Sequence, residues 1–390
     1  MNIKKEQREQ QRRKMRRRKR KMKVVHVAPT TPHQCGLYET ARELVLAERE
    51  LGINAAIFDP QPSVYEVKGR RRLIKHKGVC PNCKKEVDFV VGERNIGTRP
   101  PAWSADRGVL VAPWEFAEQS DVIVSHTGLD ERFDKVNAPR IHVAHGRPNS
   151  SYRIERSGET PIYQMYKKMN KDDRWKVMVT LWPGFEHYWQ LLFKDVRVFT
   201  PFVDLDFWKP TESEYDYGEH RGEINVMVAD IWRKDKDPFH VIHAFALFAE
   251  KHPKAKLHMY GVDNNDRGRG VIMECLKERG VLGEVSPIVP NLERFYNVAD
   301  MLITPHVMAT RTIREAMACG LSVVAGSQNP YTPYSADPEN LPEFVEAMER
   351  CWEERSPEKK KENRATAERE FDVRKTAQSF ADLFKELKAA

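Results

Sequence analysis

Arg314-Glu315-Ala316-Met317-Ala318-Cys319-Gly320-Leu321-Ser322-Val323-Val324-Ala325 is the stretch on which the fold turns. Its first half has the composition of a helix, Gly320 is the residue type that ends one, and Ser322–Ala325 reads as a strand buried on both faces. A helix closed by glycine and followed at once by a buried strand is the grammar of an open parallel α/β sheet. Just upstream, Ala309-Thr310-Arg311-Thr312 opens the helix with free amides and the positive end of its dipole, an arrangement suited to a diphosphate. Glu315, one turn inside, is placed to accept hydrogen bonds from two adjacent ribose hydroxyls.

The same alternation extends outward. Strands are expected at Ile224–Ala229, Lys256–Tyr260, Val285–Val289 and Met301–Thr304, with helices at Phe239–Lys251, Val271–Arg279, Leu292–Val298 and Thr312–Ala318. Asp237 and Pro238 start the first of these helices, and Phe239, Ile242, Phe245, Ala246 and Ala249 face inward. Nearer the N-terminus, Val24–Val27, Asn54–Phe58, Val122–Ser125, Arg140–Ala144, Val177–Thr180 and Val196–Thr200 read as short buried strands. Gly36 opens a helix with Leu37, Ala41, Leu44, Val45 and Leu51 on one face, closed by Gly52. The expected organisation is two doubly wound domains, 24–200 and 201–365. A helix within 366–390, with Val373, Ala377, Phe380, Leu383, Phe384 and Leu387 at helical spacing, returns to the first domain.

Bulk properties agree with that plan. A chain of 390 residues can build two cores, and 40% hydrophobic residues is a globular composition. No apolar run reaches the roughly 18–20 residues of a membrane helix. No hydrophobic stretch follows the N-terminal charges, as a secretory signal requires. Six scattered cysteines fit a reducing compartment, so a cytoplasmic protein is expected. The net charge of +8 is concentrated: residues 1–23 carry thirteen Lys or Arg and two Glu, which leaves the remainder at −3. Such an arm has little to bury and is expected to be disordered, either a solvated tail or a means of capturing a polyanion.

The motif Glu315–Ala325 closely resembles the helix motif of the retaining GT-B glycosyltransferases, the group 1 superfamily. Four further segments resemble that family in order: Thr200–Pro210 as the interdomain segment, Val226–Lys236 as first C-domain strand and phosphate loop, Leu257–Gly261, and Asn291–Pro305. Gly36 stands where the family has paired glycines before its first helix. The resemblance implies a GT-B α/β fold, with two Rossmann-like domains facing a cleft and a C-terminal crossover helix. It implies a nucleotide-diphosphate sugar donor, with a UDP-sugar expected, no catalytic metal, and front-face attack in which the departing phosphate helps take the acceptor proton. Donor-binding roles fall to Gly36, Arg233, Lys236, Thr310, Arg311, Thr312 and Glu315, with Arg233 and Lys236 neutralising the leaving diphosphate. His126, after the strand Val122–Ser125, matches a histidine near the transferred sugar. His145, after Arg140–Ala144, reads as structural. The chain departs from the family at Val307, where a sugar-reading glutamate is usual, and at Ala229-Asp230, where glycine-arginine is usual. His306 is a candidate replacement for the lost sugar contact. Asp204 and Asp206 form an Asp-x-Asp pair, but their place in the hinge argues against a metal.

Residues 61–113 interrupt the alternation as an insertion. Arg70, Arg71, Arg72 and Trp103 are its candidate acceptor contacts, with cations for phosphates and aromatic rings for an extruded base. Cys80-Pro-Asn-Cys83 is half of a zinc site, which needs about four ligands; structural zinc and free thiols both stay open. Three functions compete: sugar transfer to a hydroxymethylated pyrimidine in DNA, as bacteriophage enzymes do; transfer to a lipid-linked or polysaccharide acceptor, with the arm on an anionic membrane; and a GT-B scaffold that has lost catalysis.

Overall fold

The computed structural model describes residues 21–28, 36–58, 65–67, 70–72, 74–79, 86–91, 112, 114–129, 131–145, 162–230, 239–262, 267–286 and 292–389. The first ten strands are β1 (Lys23–Val27), β2 (Asn54–Phe58), β3 (Tyr65–Val67), β4 (Arg70–Arg72), β5 (Ile74–Val79), β6 (Glu86–Val91), β7 (Val122–Ser125), β8 (Arg140–Ala144), β9 (Trp175–Thr180) and β10 (Val196–Val198). The last six are β11 (Ile224–Ala229), β12 (Ala255–Tyr260), β13 (Leu282–Ser286), β14 (Met301–Ile303), β15 (Ser322–Gly326) and β16 (Ser335–Ala336). Twelve of them form two six-stranded parallel sheets, ordered β10-β9-β8-β7-β1-β2 and β13-β12-β11-β14-β15-β16. The insertion contributes two separate antiparallel pairs, β3 with β4 and β5 with β6.

Both sheets change direction at the same relative place. In the first, the chain steps from β1 to β2 on one side and later places β7 on the other. In the second, β11 is flanked by β12 on one side and β14 on the other. Loops leaving the two central strands part there, and open α/β sheets bind ligands at such switch points. β7, β8 and β11 are buried at every residue, because helices cover both faces.

The Gly36–Glu50 and Val373–Ala389 helices lie over one face of the first sheet and share its core with Val24, Ile57, Val124 and Val179. Phe380 and Phe384 of the terminal helix are fully buried there, worth about 1.5–3 kcal/mol each. The terminal helix is thereby fastened to the first sheet although the helix before it, Pro357–Glu370, belongs with the second. Where the chain crosses between the sheets its two strands of connection meet: Val203 N donates to Phe371 O at 2.8 Å, and Thr376 Oγ1 to Thr200 O at 2.9 Å. Arg364 ties the crossing to the Arg311–Ala318 helix, donating to Ala318 O at 2.9 Å and to Trp208 O at 2.6 Å.

Several boundaries differ from the sequence expectation. Met22 and Lys23, read as the end of the arm, belong to the first sheet: Met22 packs on its core and Lys23 pairs with Asn54. β13 starts at Leu282 rather than Val285, because this edge strand is mostly half-buried and carries no continuous apolar run. Leu51 lies beyond the end of its helix and is exposed, and Phe239, first residue of its own, is also exposed rather than inward. The terminal helix begins at Val373, not 366. Asp204 caps the hinge turn through Asp206 N and Phe207 N, and Asp206 pairs with Arg374, so both have structural work.

Candidate functional site

The carboxyl ends of the central strands carry the polar groups. On the first sheet these are His26 within β1, His126 directly after β7 and His145 directly after β8. His126 N donates to Val27 O at 2.9 Å, which fixes the chain as it leaves β7. His126 is 3% exposed, and both of its ring nitrogens are engaged: Nε2 lies 3.0 Å from His26 Nδ1, and Nδ1 lies 2.9 Å from His145 Nε2. Of the two rings His145 is the more exposed, being half-buried. Burial holds His126 and His145 well below the usual histidine range, so both are neutral.

The second sheet answers with charge. Asp230 follows β11 and His306 follows β14, and His306 Nε2 is hydrogen-bonded to Asp230 Oδ2 across the switch point. Asp230, one departure from the expected pattern, thus meets His306, the neighbour of the other at Val307, and both side chains are buried. Gly326 at the end of β15 lets this happen: a Cβ there would collide with Pro305 O, and Gly326 N donates to His306 O at 3.1 Å.

The Arg311–Ala318 helix starts beside them. Thr310 at its N-cap makes no side-chain cap, pairing instead with Thr312 Oγ1 at 3.1 Å, so the first amides have no side-chain acceptor among the described residues. The helix ends as the sequence foretells. Gly320 takes φ +83°, its N donates to Met317 O at 2.9 Å, and Leu321 N donates to Ala316 O at 2.9 Å, the paired bonds of a Schellman end.

Arg311 does not point at solvent. Its Nε lies 2.6 Å from Glu315 Oε1, and its Nη2 and Nη1 lie 2.5 and 3.1 Å from the two oxygens of Glu43, on the Gly36–Glu50 helix of the first domain. Trp208 Nε1 donates to the same Glu43 at 3.2 Å. Burial alone would lower the Arg311 pKa, but Glu43 and Glu315 outweigh it and hold the guanidinium charged. Arg311 in turn overcomes burial to keep Glu43 below the usual carboxylate range. Glu315 is the weaker partner: burial pushes it up to about 7, with Arg311 pulling the other way. Its second oxygen accepts from Tyr296 OH at 3.4 Å. Arg314, also buried, donates to Phe202 O at 2.5 Å, and burial followed by Arg311 lowers it to about 10.

Of the residues expected from sequence, Thr310, Arg311, Thr312 and Glu315 stand together, and His126 stands across from them in the first domain. Gly36 opens its helix where a Cβ would meet no described atom within 4 Å, leaving room for close approach of a ligand to the backbone. Arg233, Lys236, Cys80, Cys83 and Trp103 lie outside the described residues, and of Arg70, Arg71 and Arg72 only the backbone is described. Among the described residues no group of three or more His, Cys, Asp or Glu is arranged to hold a metal, and no helix is long and apolar enough to cross a membrane. Sequence reading missed His26, Glu43, Glu48 and Asp230 as site residues. The Gly36–Glu50 helix buries Glu39, Arg42, Glu43 and Glu48 along with its apolar residues, so its charges look like a solvated face until the second domain is in place. A histidine inside the apolar run Val24–Val27 was the one available signal.

Residues 223–354 match the family described as glycosyl transferases group 1. No curated protein matches the chain in sequence. Among solved structures, a glycosyltransferase from Rickettsia africae is similar over 94% of this chain and 98% of its own, with 14% identity and a TM-score of 0.62. Anabaena HepE, solved with UDP-glucose, is similar over 94% of this chain and 100% of its own, with 13% identity and a TM-score of 0.65. WaaG, a glycosyltransferase involved in lipopolysaccharide biosynthesis, is similar over 93% and 99%, with 14% identity and a TM-score of 0.62. At these identities the likeness establishes the fold: two Rossmann-like domains in the GT-B arrangement.

Proposed function

We propose that the chain transfers a sugar, with retention of anomeric configuration, from a UDP-sugar to a hydroxymethylated pyrimidine base in DNA. The observation that carries the donor half is the Arg311–Ala318 helix, whose N-terminus and Glu315 sit at the edge of the second sheet nearest the first domain, joined to it by Arg311 and Glu43. Helix-end amides receive the diphosphate, and Glu315 accepts from the ribose hydroxyls. The match of residues 223–354 to a glycosyltransferase family and the likeness to HepE, solved with UDP-glucose, support the donor class. Arg233 and Lys236 would neutralise the leaving diphosphate without a metal. With Val307 unable to read a sugar hydroxyl, His306 is the polar side chain beside it, oriented by Asp230.

The acceptor half rests on the arm of thirteen cations within residues 1–23 and on the Arg- and Trp-bearing insertion in the first domain. Nucleotide-sugars are to be supplied with hydroxymethylated duplex DNA, unmodified DNA or lipid extract, and the mass of each acceptor followed. A gain of one sugar on the hydroxymethylated DNA is expected. No gain on any DNA with any donor sinks the DNA reading, and a gain on lipid extract moves the acceptor to the cell envelope, the setting in which WaaG works. For the donor half, Glu315→Ala removes charged hydrogen bonds to the ribose and should weaken donor binding about 10–100-fold by calorimetry. Unchanged affinity would place the donor pocket elsewhere.

A further inference from the structure

Glu48, His26, His126 and His145 form a row of three hydrogen bonds from the core of the first domain out to the half-buried His145. Glu48 Oε2 lies 2.9 Å from His26 Nε2, His26 Nδ1 lies 3.0 Å from His126 Nε2, and His126 Nδ1 lies 2.9 Å from His145 Nε2. Glu48 and His26 are fully buried and His126 nearly so, whereas His145 is half-buried. The row runs beneath the β1/β7 switch point, with one ring contributed by each of the strands β1, β7 and β8 or by the residue that follows it.

A neutral imidazole has one N–H and one lone pair, so every ring in such a row donates in the same direction. Two fillings exist. With Glu48 a carboxylate, it accepts from His26, the row points inward, and His145 is left with a bare Nδ1. With Glu48 a neutral acid, it donates to His26, the row points outward, and His145 Nδ1 carries the proton. The inward filling leaves an anion in the core whose other oxygen, Oε1, has no hydrogen bond. A buried charge served so poorly is strongly unfavourable. Arg49 is the cation facing Glu48 and His26, but its Nε donates to Ala55 O at 2.6 Å. His142 faces His126 and His145 and is itself held neutral by burial, and Arg314 faces His145 from the second domain. Burial accordingly raises Glu48 well above the carboxylate range and lowers His26 to about 3. The outward filling leaves Oε1 equally without a partner but puts no charge on the carboxyl group.

We propose that Glu48 is a positioning residue which, through His26 and His126, fixes His145 with its proton on Nδ1, as a neutral N–H donor to an anionic oxygen of the substrate. The anionic oxygen follows from the company His145 keeps, since Arg314 makes its surroundings electropositive. That the oxygen belongs to a nucleoside diphosphate rests on the transferase reading; the tautomer does not.

The test is nitrogen NMR of the full chain labelled in its histidine rings, with His26, His126 and His145 assigned by substitution. The expected result is a proton on Nδ1 and a bare Nε2 in all three rings at neutral pH. A proton on Nε2 of His145 overturns the proposal, whatever activity the protein has. Glu48→Gln, whose amide still donates, should keep the pattern; Glu48→Met, which cannot, should lose it at His145 and bind UDP about tenfold more weakly. If Glu48→Met does not fold, the wild-type and Glu48→Gln spectra decide the tautomer alone. UDP and inorganic pyrophosphate should each shift the His145 Nδ1 resonance, and a resonance that neither moves overturns the diphosphate contact. A transferase that works with the wrong tautomer refutes only this inference, and the right tautomer in an inactive chain refutes only the function.

Discussion

The two sheets share one topology and differ in what they place at its switch point. Between β1 and β7 the first sheet sets His26 against His126, both neutral, in a row that ends at His145. Between β11 and β14 the second sets Asp230 against His306, and beside them gathers Arg311, Arg314 and Glu315. One half fixes the positions of protons and the other concentrates charge. The difference suits the proposed division of labour, because a diphosphate needs cations and dipoles whereas a hydroxyl-bearing acceptor needs directed neutral groups. Arg311 and Glu43 form a buried charged junction between them, where the charge of one half is completed by a carboxylate of the other.

That junction offers the strongest way to break the comparison. Arg311→Met would leave Glu43 and Glu315 buried without their shared cation, and removing one member of such a cluster typically costs about 3–5 kcal/mol. Urea unfolding measures it. Adding Glu43→Gln to Arg311→Met should return part of the loss, because the uncompensated charge then disappears. A single variant within about 0.5 kcal/mol of the parent would mean that the surface damps this pair as it does exposed ones.

Acid and base should separate the two halves next. Glu315 is pushed up to about 7 by burial, so its ionised fraction rises between pH 6 and 8. In the proposed contact the ribose hydroxyls donate to the carboxylate, so donor affinity should rise with pH across that window, measured by calorimetry with UDP; a flat profile would remove Glu315 from the contact. The first half responds through stability, and in a more acidic window. His26, lowered to about 3, binds its proton more weakly folded than unfolded, where histidine titrates near 6.5. Its contribution to stability is therefore complete above pH 6.5 and is lost as pH falls toward 3, at up to about 1.4 kcal/mol per pH unit. Denaturant midpoints at pH 7, 6 and 5 check the sign.

How much of this was legible in the sequence follows from the same contrast. The sheets could be read because parallel strands buried on both faces leave continuous apolar runs, as at Val122–Ser125 and Ile224–Ala229. The Arg311–Ala318 helix could be read because its features are local: a glycine end, a glutamate one turn in, an uncapped start. The Pro357–Glu370 helix was missed because it buries only Asn363 and Ala367 and so has no apolar stripe. Leu341–Glu353 was missed despite an Asn340 side chain that accepts from Glu343 N. The histidine row and the Arg311 junction were illegible for a deeper reason. Glu48 lies 22 residues from His26, His126 lies 100 from it, and Arg311 lies 268 from Glu43. Each pair is made by sheet order or domain contact, which spacing along the chain does not encode.

The smallest expected effect tests the part that was read most directly. Gly320 holds φ +83°, where a side chain costs roughly 1–2 kcal/mol. A Cβ there would also press to 3.1 Å of Lys360 O, on the helix that Arg364 ties to this same turn. Gly320→Ala should therefore lower the unfolding free energy by about 1–2 kcal/mol, against 3–5 for Arg311→Met. Gly36→Ala is the matched control: it opens the corresponding helix of the first domain, its Cβ meets no described atom within 4 Å, and it should leave stability almost unchanged. If both glycines prove equally tolerant, the Schellman end does not hold the donor helix in register. If Gly36→Ala spares stability but weakens UDP binding, glycine is needed there for the ligand and not for the fold, which sets the two helix ends apart as ligand-facing and structural.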